Sequence, residues 1–253
     1  MVFFSLICLA NEDISDIIRR SVQANARDWQ ASPQYDCSER DQDPHGASKT
    51  YQDLIVLGSP YQKLIKIDGK PLSVQEQQRE QQKLETAISE RRHESVQERA
   101  QRIAKYEKER KRDNELMDQL TKAFDFTLAG EQTLDGYDVY VLKAKPRRGY
   151  RPPTTDTEVL KGMEGELWID KQTYQWVKVE AHVIHPVSIE GFMARVEPGT
   201  RFELEKMPVD DNIWLAKHFS MKAHAKVFFL FSHNEQQDEW YFDYHKASDR
   251  QEQ

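Results

Sequence analysis

From residue 124 to residue 246 the chain alternates apolar and polar side chains with a period of two, and this pattern constrains its fold more than any other feature. Val177, Val179, Ala181 and Val183 interleave with Trp176, Lys178, Glu180 and His182. Successive strand residues point to opposite faces, so one face of such a strand is dry and the other wet. The same texture recurs at residues 124–128, 132–134, 137–144, 164–170, 201–206, 213–225, 226–233 and 239–246. Asp135-Gly136 marks a two-residue hairpin turn. Strands joined by short turns rather than helices imply one antiparallel sheet, not repeated βαβ units. Residues 35–40, 50–57 and 61–67 add a strand and a hairpin, the last two joined through Gly58-Ser59-Pro60. The total is about 9 to 11 strands, and a sheet of that size has to curl or close.

Two helical segments break the β pattern. Ile14, Ile17, Ile18, Val22, Ala26 and Trp29 recur at spacings of three and four behind a capping Asn11 or Asp13, which predicts an amphipathic helix of about five turns. Residues 73–115 carry 11 Lys or Arg and 10 Asp or Glu among 43 residues, without Gly or Pro. Ser73 with Glu76 forms a capping box, and Glu98 with Arg102 and Glu107 with Lys111 are favourable i,i+4 pairs. Leu84, Ile88, Ile103, Tyr106, Met117, Leu120 and Phe124 share a third of the helix circumference, but Arg92, Arg99 and Arg110 interrupt that stripe. The expectation is a helical insertion over 73–123 that docks at its ends and projects its middle into water. The alternative is a helix that engages a partner protein; no unbroken coiled-coil seam runs through it.

The chain has 253 residues, enough for a single large β domain, here residues 11–246, with a polar tail at 247–253. Forty-three acidic residues against 36 basic ones, a net charge of -7, argue against nucleic acid as a partner. No stretch of about 18 apolar residues exists to form a membrane-spanning helix. Residues 1–10 are apolar apart from Ser5 and end in Cys8-Leu9-Ala10, which reads as a clipped export signal cleaved before Asn11. Cleavage would leave Cys37 as a lone thiol, read as a small core residue.

No phosphate-binding loop, dinucleotide fingerprint, nucleophile elbow or zincin helix is present. The histidines at 182, 185, 218, 224, 233 and 245 lack convergent spacing and read as solvent-facing strand residues, so no metal site is expected. Glu164 with Glu166, and Asp210 with Asp211, read as surface carboxylates beside turns. A non-enzyme without a cofactor is the expectation. The basic segment Lys143, Lys145, Arg147, Arg148 and Arg151 around three prolines is a candidate patch for an anionic lipid headgroup or an acidic partner, and hence for peripheral membrane contact.

The hairpin Gly165-Glu166-Leu167-Trp168-Ile169-Asp170 followed by Trp176-Val177-Lys178-Val179-Glu180 resembles that of the LolA/LolB-like periplasmic lipoprotein-carrier superfamily, which includes outer-membrane lipoprotein-sorting proteins. The order of a leading helix, strands, a helical interruption and a run of strands including Asn212-Ile213-Trp214-Leu215 is similar to it as well. The resemblance implies an α+β fold: a strongly curved antiparallel sheet, an open half-barrel, whose hollow is covered by helices. It further implies a periplasmic protein that binds the acyl chain of a lipid or lipoprotein. Val177, Val179, Ala181, Val183, Phe219, Met221, Phe229 and Phe231, chosen by alternation, are the candidate lining. The charged segment 73–115 is longer than a typical lid helix and is the candidate contact for an envelope protein partner.

Overall fold

A computed structural model describes residues 13–189, 194–227 and 231–247. Helix α1 (Ile14–Ala31) opens the fold, its N-cap Asp13 accepting from the Ser15 amide. Strands β1 (Tyr35–Gln42), β2 (Ser48–Val56), β3 (Ser59–Ile67) and β4 (Lys70–Pro71) follow, then helices α2 (Val74–His93) and α3 (Val96–Ala123). The remainder is β5 (Phe124–Leu134), β6 (Tyr137–Pro146), β7 (Met163–Asp170), β8 (Trp176–Val183), β9 (Val187–Ile189), β10 (Ala194–Val196), β11 (Arg201–Asp210), β12 (Ile213–Val227) and β13 (Phe231–Lys246). A 3-10 segment, Asp156–Gly162, precedes β7.

All 13 strands belong to one antiparallel sheet of order β4-β3-β2-β1-β13-β12-β11-β8-β7-β6-β5, with β10 and β9 attached to β12 off that path. Because β4 and β5 end the path unpaired with each other, the sheet is an open half-barrel. Strand β13 lies between β1 and β12, so the first and last described strands pair in mid-sheet. Leu57-Gly58, Asp68-Gly69 and Asp135-Gly136 all have positive φ at both residues, the backbone twist that two-residue hairpins need. The turn after β2 is therefore Leu57-Gly58, with Ser59 and Pro60 already in β3, one residue pair earlier than expected from composition.

Cross-strand partners share a face, so the register lists what each face carries. Leu128, Leu142, Leu167, Val179, Leu204 and Phe219 form one unbroken apolar row from β5 to β12. This is the inner face, where the largest buried cluster joins Leu142, Leu167, Ile169 and Trp176 to Ile17 and Ile18 of α1. A second, smaller cluster of Val139, Val141, Trp168, Val177 and Trp214 occupies the outer face.

The charged insertion is two helices, not one. Glu94 is extended at φ -54 and ψ 136, and Ser95 starts α3 with a second capping box to Glu98. Arg92 and Arg99 are exposed, but three other arginines of the insertion dock on the protein. Arg91 donates to the carbonyls of Val56, Ser59 and Pro60 at 2.8, 2.9 and 3.0 Å, and Arg102 to Leu57 O at 3.2 Å and Ser59 Oγ at 2.7 Å. Arg102 also grips Glu94 through two 2.7 Å bonds, in place of the expected i,i+4 pair with Glu98. Arg110 caps the Trp29 carbonyl and lies 4.5 Å from that indole's centroid. Periodicity missed this because guanidinium groups dock on backbone carbonyls, which an apolar stripe does not register.

Helix α1 is held down by one buried carboxylate. Asp28, 2% exposed, accepts from Gln175 Nε2 and the Trp214 amide, both at 3.0 Å, and pairs with Lys206. Burial lowers the Lys206 pKa, and the neighbouring Asp28 opposes that shift. Asp28→Ala leaves a buried ammonium without its counter-charge and is expected to cost about 3–5 kcal/mol in urea denaturation. Adding Lys206→Met to the same variant is expected to recover much of that loss, because the stranded charge is gone.

Candidate functional site

The C-terminal half of α3 does not fill the hollow it covers. Between Leu116, Met117 and Leu120 of α3 and the inner face lies a cavity of about 310 Å³. Val159 and Leu160 of the 3-10 segment close one side, and Leu167, Val179, Ala181, Phe202, Leu204 and Phe219 form the floor. Glu164, Glu180 and Glu203 are its charged neighbours; among the described residues no Ser, Cys, His or Lys lines it. Strand alternation aims the floor residues inward, and Gly165 lets β7 and β8 approach closely, since a Cβ there would lie 2.3 Å from the Glu180 carbonyl oxygen. An apolar enclosure of this kind can sequester a hydrocarbon; it offers little to polarise a bond.

The candidate lining divides on inspection. Val179, Ala181 and Phe219 border the cavity. Met221 is opposite Phe202 in the next row of the same face. Val183, 1% exposed, is packed into the inner cluster. Val177 is turned to the outer cluster, because a bulge pairs Ile169 with Trp176 and Trp168 with Lys178, shifting the alternation by one residue. Phe229 and the side chain of Phe231 lie outside the described residues. Alternation alone had no means of finding the helical half of the wall, Leu116, Met117 and Leu120, as distinct from core.

Among the basic candidates, Lys143 pairs with Glu166 at 3.7 Å and Arg147 with Asp125 at 2.7 Å. Lys145, Arg148 and Arg151 are exposed. The described histidines stay dispersed: His182 pairs with Glu164 at 3.2 Å, His224 meets Asn234 at 2.8 Å, and His185 and His245 are exposed, while the His233 side chain lies outside the described residues. His218 instead stacks on Trp240 with centroids 4.0 Å apart and contacts Asp238 at 2.9 Å. Its neighbours Glu203 and Glu205 are taken by Lys178 at 2.7 Å and Lys217 at 2.9 Å.

Beyond Phe219 the inner face changes character. Its partner on β13 is Glu239, whose partner on β1 is Asp41. Glu39 and Asp53 stand beside them, Glu39 opposite Tyr51 and Asp53 opposite Cys37. Gln62 Nε2 donates to Glu39 at 3.0 Å, and the Tyr241 hydroxyl to Glu239 at 2.6 Å. Burial, and then the neighbouring Asp53 and Asp41, raise the Glu39 pKa; burial also raises those of Glu239 and the Cys37 thiol. The alternation of Cys37, Glu39 and Asp41 on an expected strand was the available signal for this cluster.

A carboxyl whose folded pKa exceeds its unfolded value contributes stability that is full below about 4.3 and is lost as pH rises through the folded value. In chelating buffer, urea denaturation is expected to show Glu39→Gln gaining on the parent chain between about pH 5 and about pH 8. An unchanged difference across that interval would place Glu39 outside the titrating cluster.

No family model and no curated protein matches the chain in sequence. Comparison with solved structures finds similarity to an outer membrane lipoprotein-sorting protein domain from Vibrio parahaemolyticus, 11% identical, covering 93% of this chain and 94% of that one with a TM-score of 0.36. It also finds similarity to a LolA superfamily protein from Nitrosomonas europaea, 10% identical, covering 92% of each chain with a TM-score of 0.34.

Proposed function

We propose that the chain is a non-enzymatic carrier of the bacterial envelope that holds the acyl chain of a lipid or lipoprotein between α3 and the inner face of the sheet. The observation that carries this reading is the cavity itself: about 310 Å³ of space whose floor and roof are aliphatic and aromatic. Unfilled apolar surface forfeits dispersion contacts that a hydrocarbon guest would supply. A sixteen-carbon chain gains up to roughly 12 kcal/mol on transfer, at about 0.8 per methylene, before association costs of several kcal/mol. The resemblance of the β7–β8 hairpin to lipoprotein carriers supports a periplasmic location. Exposed Lys145, Arg148 and Arg151 fit a lipid headgroup or a membrane surface. A second role, engagement of an envelope protein, is favoured by α2 and the start of α3, which leave Val74 70% and Val96 88% exposed.

Uptake of a fluorescent fatty acid, with mass spectrometry of the organic extract of gently purified protein, tests the first reading. Saturable binding is expected, and Ala181→Phe, which places a ring in the cavity, is expected to weaken it roughly tenfold or more while the chain stays folded. A parent chain that takes up no fatty acid and carries no lipid would sink it.

A further inference from the structure

The acidic end of the inner face has a composition that the carrier reading does not use. One carboxylate oxygen from each of Glu39, Asp41 and Glu239 lies within 4.8 Å of the other two. Glu39 is 9% exposed, and one of its oxygens accepts from Gln62. Asp41 Oδ1 and Asp53 Oδ1 are each fully buried without a hydrogen-bond partner. None of these four carboxylates forms an ion pair with a described residue, and Lys49, opposite Asp41 in the register, is exposed. Uncompensated buried charge is costly enough that such a group is neutralised by a proton or by a cation.

We propose that Glu39, Asp41 and Glu239, with Asp53 behind them, form a binding site for a hard divalent cation of the calcium type. Calcium sits about 2.3–2.6 Å from its oxygens, so ligands on opposite sides of it are up to about 5 Å apart, a separation these three oxygens do not exceed. The donor set is oxygen only, which suits a hard ion over zinc or copper. Cys37 does not join it: burial keeps the thiol protonated, and its sulfur is directed to Asp53 Oδ2 at 3.9 Å. The site joins β1 to β13, the first and last described strands, so an ion bound there cross-links the middle of the sheet.

Terbium reports on such a site through nearby tyrosines, here Tyr241, bonded to Glu239, and Tyr51, opposite Glu39. With the full chain in salt of about 0.15 M, which screens exposed charges, saturable tyrosine-sensitised terbium emission displaced by calcium is expected. Glu39→Gln combined with Asp41→Asn is expected to weaken it roughly tenfold or more, whereas Asp125→Asn, at an exposed carboxylate on β5, leaves it unchanged. Should the double variant fail to fold, the parent chain still decides the matter: its thermal midpoint rises with calcium chloride and not with sodium chloride of equal ionic strength. Absence of saturable emission, emission kept by the folded double variant, or a midpoint indifferent to calcium overturns the proposal.

Discussion

A sheet that carries an apolar row across six strands cannot leave that face in water, and the whole architecture follows from how the face is covered. Helix α1 covers part of it because Asp28 gathers the Trp214 amide, Gln175 and Lys206, all far from it in sequence, onto one carboxylate. The C-terminal half of α3 covers another part with Leu116, Met117 and Leu120, and does so loosely enough to leave a cavity. The two covers differ in kind. A buried, multiply bonded carboxylate fixes α1 in one position, whereas apolar contact over α3 is nondirectional and tolerates repacking around a guest.

The charged insertion makes sense as a strut. Lys83 with Glu80 and Arg110 with Glu107, the latter in place of the expected Glu107–Lys111 pair, are i,i+3 ion pairs on these helices, but each exposed pair contributes little, about a few tenths of a kcal/mol. What anchors this one is the set of carbonyls at the β2–β3 turn, reached by Arg91 and Arg102, and the Trp29 carbonyl, reached by Arg110. Leu84 and Ile88 add an apolar contact on Leu54 and Val56. A helix fastened along its length in this way sets where Leu116 to Leu120 sit over the hollow, so the insertion and the cavity are mechanically one unit.

Much of this was legible before any coordinates. The alternation over residues 124–246 specified strands and their inward sets, and Asp135-Gly136 specified a hairpin, because both signals are local consequences of backbone geometry. Alternation placed Val179, Ala181 and Phe219 on the inner face for that reason. Val177 was misplaced because a bulge moves one residue across the sheet without any compositional mark. The division of the insertion at Glu94 and Ser95 was written in a second capping box, Ser95 with Glu98, that the longer apolar stripe masked. Asp28 was unreadable, since its partners lie roughly 150 to 190 positions away and no local pattern marks a carboxylate destined for burial.

The inner face thus has two chemistries in series along a single register row: leucine, valine and phenylalanine through β12, then carboxylates on β13 and β1. Phe219 and Glu239 are direct cross-strand partners, so no helix or loop separates the apolar cavity from the acidic cluster. Apolar walls keep water and its dielectric screening away from charges beside them, which strengthens both the repulsion among the carboxylates and the attraction of any cation placed between them. A group entering the cavity near Phe219 therefore alters the electrostatic environment of Glu239, and a charge change at Glu239 alters the polarity of that end of the cavity. A guest beside Phe219 and a cation beside Glu239, were both bound, would act on one another through proximity alone, and that coupling would act equally in both directions.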